Sequence, residues 1–121
     1  MTIERIEYEF SVCKVTDFSM VDLEDEYCFI GKTDEERSVV CRTEKAPANA
    51  TEREDGWRTF RVQGVLEFSF VGILARISAL LAEQGISIFA VSTYNTDYVL
   101  TKAELFSKAL ETLAGVGYQI I

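Results

Sequence analysis

Apolar and polar residues alternate near the start of the chain. Ile6, Tyr8, Phe10 and Val12 fall on one side of an extended backbone, and Glu7, Glu9 and Ser11 on the other, the pattern of a half-buried strand. The run DFSMVDLED (17–25) predicts one short helix, and EYCFIGK and RSVVCR predict two short strands joined by the turn-like TDEE at 33–36. Residues 43–56, TEKAPANATEREDG, hold the only proline and almost no large apolar side chain, so they read as a linker.

Beyond the linker the periodicity sharpens. WRTFRVQGVLEF predicts a strand, with Gly64 marking a bulge or a close backbone approach. In GILARISALLAEQG, Ile73, Leu74, Ile77, Leu80 and Leu81 recur at helical spacing, and Gly85 stands where a helix C-cap belongs. ISIFAVS predicts a strand, YNT a tight hairpin turn and DYVLT the return strand. TKAE (101–104) has the form of a capping box opening a last helix, whose buried stripe is Leu105, Ala109, Leu110 and Leu113. GVG ends that helix and YQII predicts a final strand.

From Trp57 the order is β-α-β-β-α-β, the ferredoxin-like split βαβ plan of an antiparallel sheet with two helices on one face. The first 42 residues give a shorter β-α-β-β. The fold class is therefore α+β, with two related subdomains: 1–56, abbreviated and including the linker, and 57–121, complete. In the strand at 86–92, Ile86, Ile88 and Ala90 point one way and Phe89 and Val91 the other. A sheet with helices on a single side needs one apolar face, so the second face is expected to be covered too, by the first subdomain or by another copy of the chain.

Composition narrows the chemistry. The chain has 121 residues, 48% apolar and 26% charged, room for one domain or two very small ones. Its apolar runs fall well short of the roughly 20 residues that span a bilayer, and the start, MTIERIEYEF, lacks the apolar core of a signal peptide; a cytoplasmic protein without a membrane partner is expected. Cys13, Cys28 and Cys41 form no CxxC pair and read as reduced, buried thiols. There is no histidine, which removes the commonest general base and metal ligand and excludes Ser-His-Asp or Cys-His catalysis. No metal, cofactor or enzymatic activity is expected. The net charge of −8 lies entirely in the first half: residues 1–56 hold 15 acids and 7 bases, residues 57–121 five of each. That sign repels phosphate backbones, and the aromatic-and-basic pattern of RNA-binding sheets is missing, so nucleic acid is not an expected partner.

The segment from Trp57 to Leu100, with FSFVGILARIS and LAEQGISIFAVSTYNTDY, and the preceding CFIGKTDEERSVVC, resembles small bacterial ACT-domain proteins related to the CASTOR amino-acid sensors. The resemblance covers nearly the whole chain. It implies two ACT subdomains, the first abbreviated, and a non-catalytic regulatory module that binds an amino acid or similar small ligand. In the sensor branch the ligand lies between the glycine turn opening the first ACT helix and an ST-aromatic-x-x-Asp hairpin. Carried over, the ligand-binding positions are Phe70, Val71, Gly72 and Ile73 on one side and Thr93, Tyr94 and Asp97 on the other. The chain is much shorter than those sensors, and a homodimer would supply the missing half; the regulated protein is not named by the sequence.

These positions suit a free amino acid. Unpaired N–H groups of the first helical turn attract a carboxylate, glycine leaves room for its approach, and Asp97 accepts an ammonium. Plainer roles stand beside these: Asp97 closing an Asx turn, Gly72 as the residue that opens the helix, Thr93 as a strand hydroxyl and Tyr94 as a packing residue. A structural or protein-interaction module with a degenerate pocket is the alternative function.

Overall fold

Two strands are long, 14 and 13 residues, and each lends residues to both of the compact units into which the chain divides. One unit comprises Met1–Glu7 with Arg58–Ile121, the other Tyr8–Trp57. The computed structural model describes residues 1–63 and 72–121; Gly64, Phe70 and Val71 lie outside the described residues. The elements are β1 (Thr2–Val15), β2 (Cys28–Lys32), β3 (Arg37–Arg42), a turn of 3-10 helix (Thr43–Lys45), β4 (Ala50–Val62), α1 (Ile73–Glu83), β5 (Phe89–Ser92), β6 (Asp97–Lys102), α2 (Ala103–Gly115) and β7 (Gln119–Ile120).

The larger unit has the strand order β7-β1-β4-β6-β5. From β4 onward the elements follow the anticipated β-α-β-β-α-β order. The first residues of β1 enter this sheet as an additional strand, parallel to β7, with Thr2 opposite Gln119 and Ile3 opposite Ile120. Ile3 explains the insertion, because it is fully buried among the core residues of the unit. Ile77 and Leu81 of α1 and Phe106, Ala109 and Leu113 of α2 close that core over Phe60, Val62 and Val99. Ile6, Thr59 and Leu100, of opposite parity on their strands, are also buried, so apolar side chains on both faces of this sheet are out of water. Strand β5 begins only at Phe89; Ile86 and Ile88 precede it and pack into the core from the turn.

Both helices end alike. At α1 the N–H of Gly85 bonds Ala82 O and that of Ile86 bonds Leu81 O, each at 3.0 Å; at α2 the N–H groups of Gly117 and Tyr118 bond Ala114 O and Leu113 O, each at 3.1 Å. Gly85 and Gly117 take φ of +72° and +104°. This double bond pattern with glycine in the left-handed region is the Schellman motif. The start of α2 departs from expectation. No side chain caps it, Lys102 is its N-cap, and Thr101 is buried in β6 with its hydroxyl on Lys102 O. Its register on β6 fixes Thr101 in the interior, out of reach of a capping role.

The smaller unit has the order β2-β3-β1-β4. Val15, Val39 and Cys41 form its buried core, flanked by Phe18, Val21, Cys28 and Ala50. Two expectations fail here. Residues 17–25 form successive turns and no helix: Asp17 accepts bonds from the N–H and hydroxyl of Ser19, and Asp22 accepts the N–H of Glu24 at 3.1 Å. Short polar side chains that bond nearby backbone compete with the helical ladder. The stretch 43–56 is no free linker, because β4 starts at Ala50. Thr51 donates to Lys14 O at 3.2 Å, and Asp55 accepts from Ser11 at 2.5 Å and from Arg53 at 2.8 Å. Polar side chains on neighbouring strands thus replace the missing apolar ones. Arg42 ties the turns to the sheet through both carboxylate oxygens of Asp25, at 3.0 and 2.5 Å.

The two hairpins repeat. Thr33 N–H bonds Glu36 O at 2.9 Å, and Thr93 N–H bonds Thr96 O at 2.8 Å. Each element follows its counterpart by 60 residues: Thr93 after Thr33, Asp97 opening β6 after Arg37 opening β3, and Ala103 opening α2 after Thr43 opening the 3-10 turn.

Leu81→Ala should cost about 2–5 kcal/mol of unfolding free energy, the range for truncating a fully buried leucine, measured by urea denaturation. The Arg42 bonds hold the Asp25 carboxyl below its ordinary value. Its contribution is therefore complete above the unfolded carboxylate pKa of about 4 and lost as pH falls through the lower folded value. Asp25→Asn should lower the urea midpoint at neutral pH and flatten the decline of stability below about pH 4.

Candidate functional site

Gly72 opens α1 with φ +82°, a backbone conformation natural to glycine, and, its chain neighbours aside, no atom of the described residues lies within 4 Å of where a Cβ would stand. Its carbonyl accepts the first helical bond, from Arg76 N–H at 2.8 Å. The N-cap glycine offers no side-chain cap, and the first-turn N–H groups of a helix have no intrahelical partner. A cavity of about 340 Å³ opens here, lined by Met1, Gly72, Ile73, Arg76, Val116, Gly117 and Tyr118. Gly72 and Ile73 were anticipated. Arg76 is exposed and also lines the cavity. Met1 and Val116–Tyr118 come from the far ends of the chain, brought in by the β1–β7 pairing and the glycine stop of α2. The GVG sequence was the available signal for the latter.

Thr93, Tyr94 and Asp97 share the β5–β6 hairpin. Asp97 is half-buried and faces Ser92 across the strands, accepting its hydroxyl at 2.6 Å. This bond uses one of the roughly four acceptor positions of a carboxylate. The Thr93 hydroxyl bonds Thr96 O at 3.0 Å and so helps close the hairpin. Tyr94 stands at the tip, 80% exposed. The buried Thr96, which sequence reading passed over, donates to Val62 O at 2.8 Å and ties the tip to the end of β4.

The cavity and the hairpin occupy one end of the sheet. Thr96 meets Val62, Gln63 N–H meets Thr2 O at 2.9 Å, and Gln119 N–H meets Met1 O at 3.1 Å. The row therefore runs from the hairpin through β4 and β1 to β7. Two to three strand spacings of about 4.8 Å, roughly 10–14 Å, separate the β6 end of the row from the β1 and β7 ends that line the cavity. The lining of the cavity includes none of Thr93, Tyr94 and Asp97. Among the described residues there is no cluster of His, Cys, Asp or Glu able to hold a metal ion, and no helix long and apolar enough to cross a membrane.

The order of elements defines a ferredoxin-like architecture, and the sequence profile of the ACT domain matches residues 52–115. The chain belongs to the ACT-domain family. No curated protein sequence matches it. Among solved structures it is similar to protein Atu0741 of Agobacterium tumefaciens, with a TM-score of 0.87 and 25% identity, over 99% of this chain and 91% of that one. It is also similar to VC0802 of Vibrio cholerae, described as a possible transport protein, with a TM-score of 0.70 and 22% identity over 94% and 88% of the chains. The regulatory subunit of aspartate kinase from Thermus thermophilus shares the fold, with a TM-score of 0.64 and 12% identity over 95% and 96%.

Thr96→Val should lower stability by about 1 kcal/mol, since it removes a buried hydroxyl donor and strands the Val62 carbonyl. Amide hydrogen exchange at Thr93–Asp97 should accelerate more than in α1.

Proposed function

We propose that this protein is a non-catalytic regulatory module of two ferredoxin-like ACT subdomains, the first abbreviated, that binds a free amino acid or similar small ligand as a homodimer. The 60-residue recurrence of hairpin and helical turn supports the paired-module reading. The observation that carries the binding reading is the cavity at the glycine-opened start of α1. Its volume of about 340 Å³ falls in the range of small-molecule sites, about 300–1,000 Å³.

The ligand carboxylate meets the first-turn N–H groups at Gly72 and Ile73, with the Arg76 cation beside it. Its ammonium meets Asp97. A separation of roughly 10–14 Å, from two to three strand spacings, is more than one small amino acid bridges. The two halves of the site therefore come from different copies, Gly72 of one and Asp97 of the other. Thr93 and the exposed Tyr94 accompany Asp97, and Phe70 and Val71 accompany Gly72. Ligand binding across copies tightens the dimer or shifts its geometry, and a regulated protein reads that change. The ACT family and the likeness to an aspartate kinase regulatory subunit favour this use of the fold.

Calorimetric titration with each proteinogenic amino acid, paired with sedimentation of the same samples, tests the reading. One ligand should bind at one site per chain in a dimer. Asp97→Ala should weaken it about tenfold or more, the effect of losing a charge-assisted hydrogen bond. A folded dimer that binds none of them leaves the protein-interaction module as the better description.

A further inference from the structure

The three cysteines, far apart in sequence, meet on three adjacent strands of the smaller unit. Cys28 on β2 lies directly opposite Cys41 on β3. Cys41 in turn lies opposite Ser11 on β1, and Cys13, two residues further along β1, lies opposite Val39. Cys41 and Cys28 both pack at the Val15–Val39 core, and the Cys13 thiol is within hydrogen-bonding reach of Cys41.

The kind of pairing at Cys28–Cys41 follows from the hairpin turn. Thr33 N–H bonds Glu36 O, and hydrogen-bonded and non-hydrogen-bonded pairs alternate along an antiparallel ladder. Counting back from that turn, Gly31–Ser38 and Phe29–Val40 are hydrogen-bonded pairs, and Cys28–Cys41 is a non-hydrogen-bonded one. Such pairs bring Cα atoms to about 4.5 Å, inside the window of about 4.4–6.8 Å that a disulfide accepts. The diagonal relation of Cys13 to Cys41 corresponds to about 7–8 Å between Cα atoms, beyond that window. Cys28 is also the partly exposed member, whereas Cys13 and Cys41 are buried.

We propose that Cys28 and Cys41 are a reversible thiol–disulfide pair whose oxidant is a low-molecular-weight disulfide such as glutathione disulfide. The Cys28 thiolate attacks one sulfur of the oxidant, forming a mixed disulfide and releasing one glutathione thiolate. The Cys41 thiolate then attacks the Cys28 sulfur and expels the second. Two protein thiols and one glutathione disulfide become one protein disulfide and two glutathione thiols. Burial pushes the thiols up, that of Cys41 to about 12, with Asp25 and Asp22 adding to the rise at Cys28. Both steps are therefore slow, and Cys28 is the point of attack because it alone is open to the oxidant.

The folded protein is incubated with glutathione disulfide and read by intact mass and by peptide mapping without reduction. The expected product is lighter by two hydrogens, joins the Cys28 and Cys41 peptides and returns to starting mass with dithiothreitol. Cys13→Ala should give the same product, while Cys28→Ala, shown to be folded by circular dichroism, should give no internal link. A Cys13–Cys41 link, a reaction that stops at the glutathione adduct, or thiols that oxidise only in denaturant would each overturn the proposal.

Discussion

At Leu81 and at Leu113 one residue serves two purposes: its side chain is fully buried in the core of the larger unit, and its carbonyl accepts the N–H five residues on. Because the side chain anchors the helix to the sheet and the carbonyl fixes the returning chain, each helix can leave its last turn in only one direction. Ile86 and Tyr118, the residues whose N–H groups make those bonds, return to the same core. The consequence reaches the site. The stop at Gly117 sets Val116–Tyr118 beside the start of α1, and the turn at Gly85 feeds the strand that carries Ser92 to Asp97. The left-handed φ at both glycines makes these corners intolerant of other residues.

How much of this was legible follows from what sets each element. A period of three to four residues identifies α1 and α2 because one face of each is buried, and burial is what periodicity reports, whereas β6 and the end of β4, buried on both faces, are legible from their β-branched and aromatic composition. The same logic fails for 17–25. Phe18 and Val21 pack on the core of the smaller unit, as a helix stripe would, but from turns held by Asp17 and Asp22. It fails again for 50–56, where a strand forms with nearly every side chain exposed. Its stability comes from backbone pairing and polar cross-strand bonds such as Ser11–Asp55, which leave no apolar trace. The sharing of β1 between two units could not be read locally either, since it depends on where the last strand of the chain comes to rest.

The candidate site divides along the same line. Gly72 and Asp97 stand in local motifs, a helix opening and a hairpin, and both could be named from sequence. Arg76 and Tyr118 join the candidate site only through tertiary folding. The bond from Ser92 to Asp97 resolves the apparent cost of a carboxylate at a strand end. The charge is half-buried yet bonded across the ladder, so the position is tolerable in the folded chain without a ligand. A binding role for Asp97 therefore has to be argued from its unused acceptor capacity, because its mere presence is already accounted for.

The 60-residue recurrence sets Cys28 in the place of Ile88 and Cys41 in the place of Thr101. In the larger unit the corresponding face is sealed by two helices, with Ile88 packed against the core and Thr101 fully buried. In the smaller unit a single 3-10 turn stands where α2 begins, and residues 17–25 cover the core as turns. Turns supply fewer close-packed side chains per residue than a helix stripe, so the small, polarizable thiol suits a shallower layer. Cys28 and its counterpart Ile88 are both only partly buried.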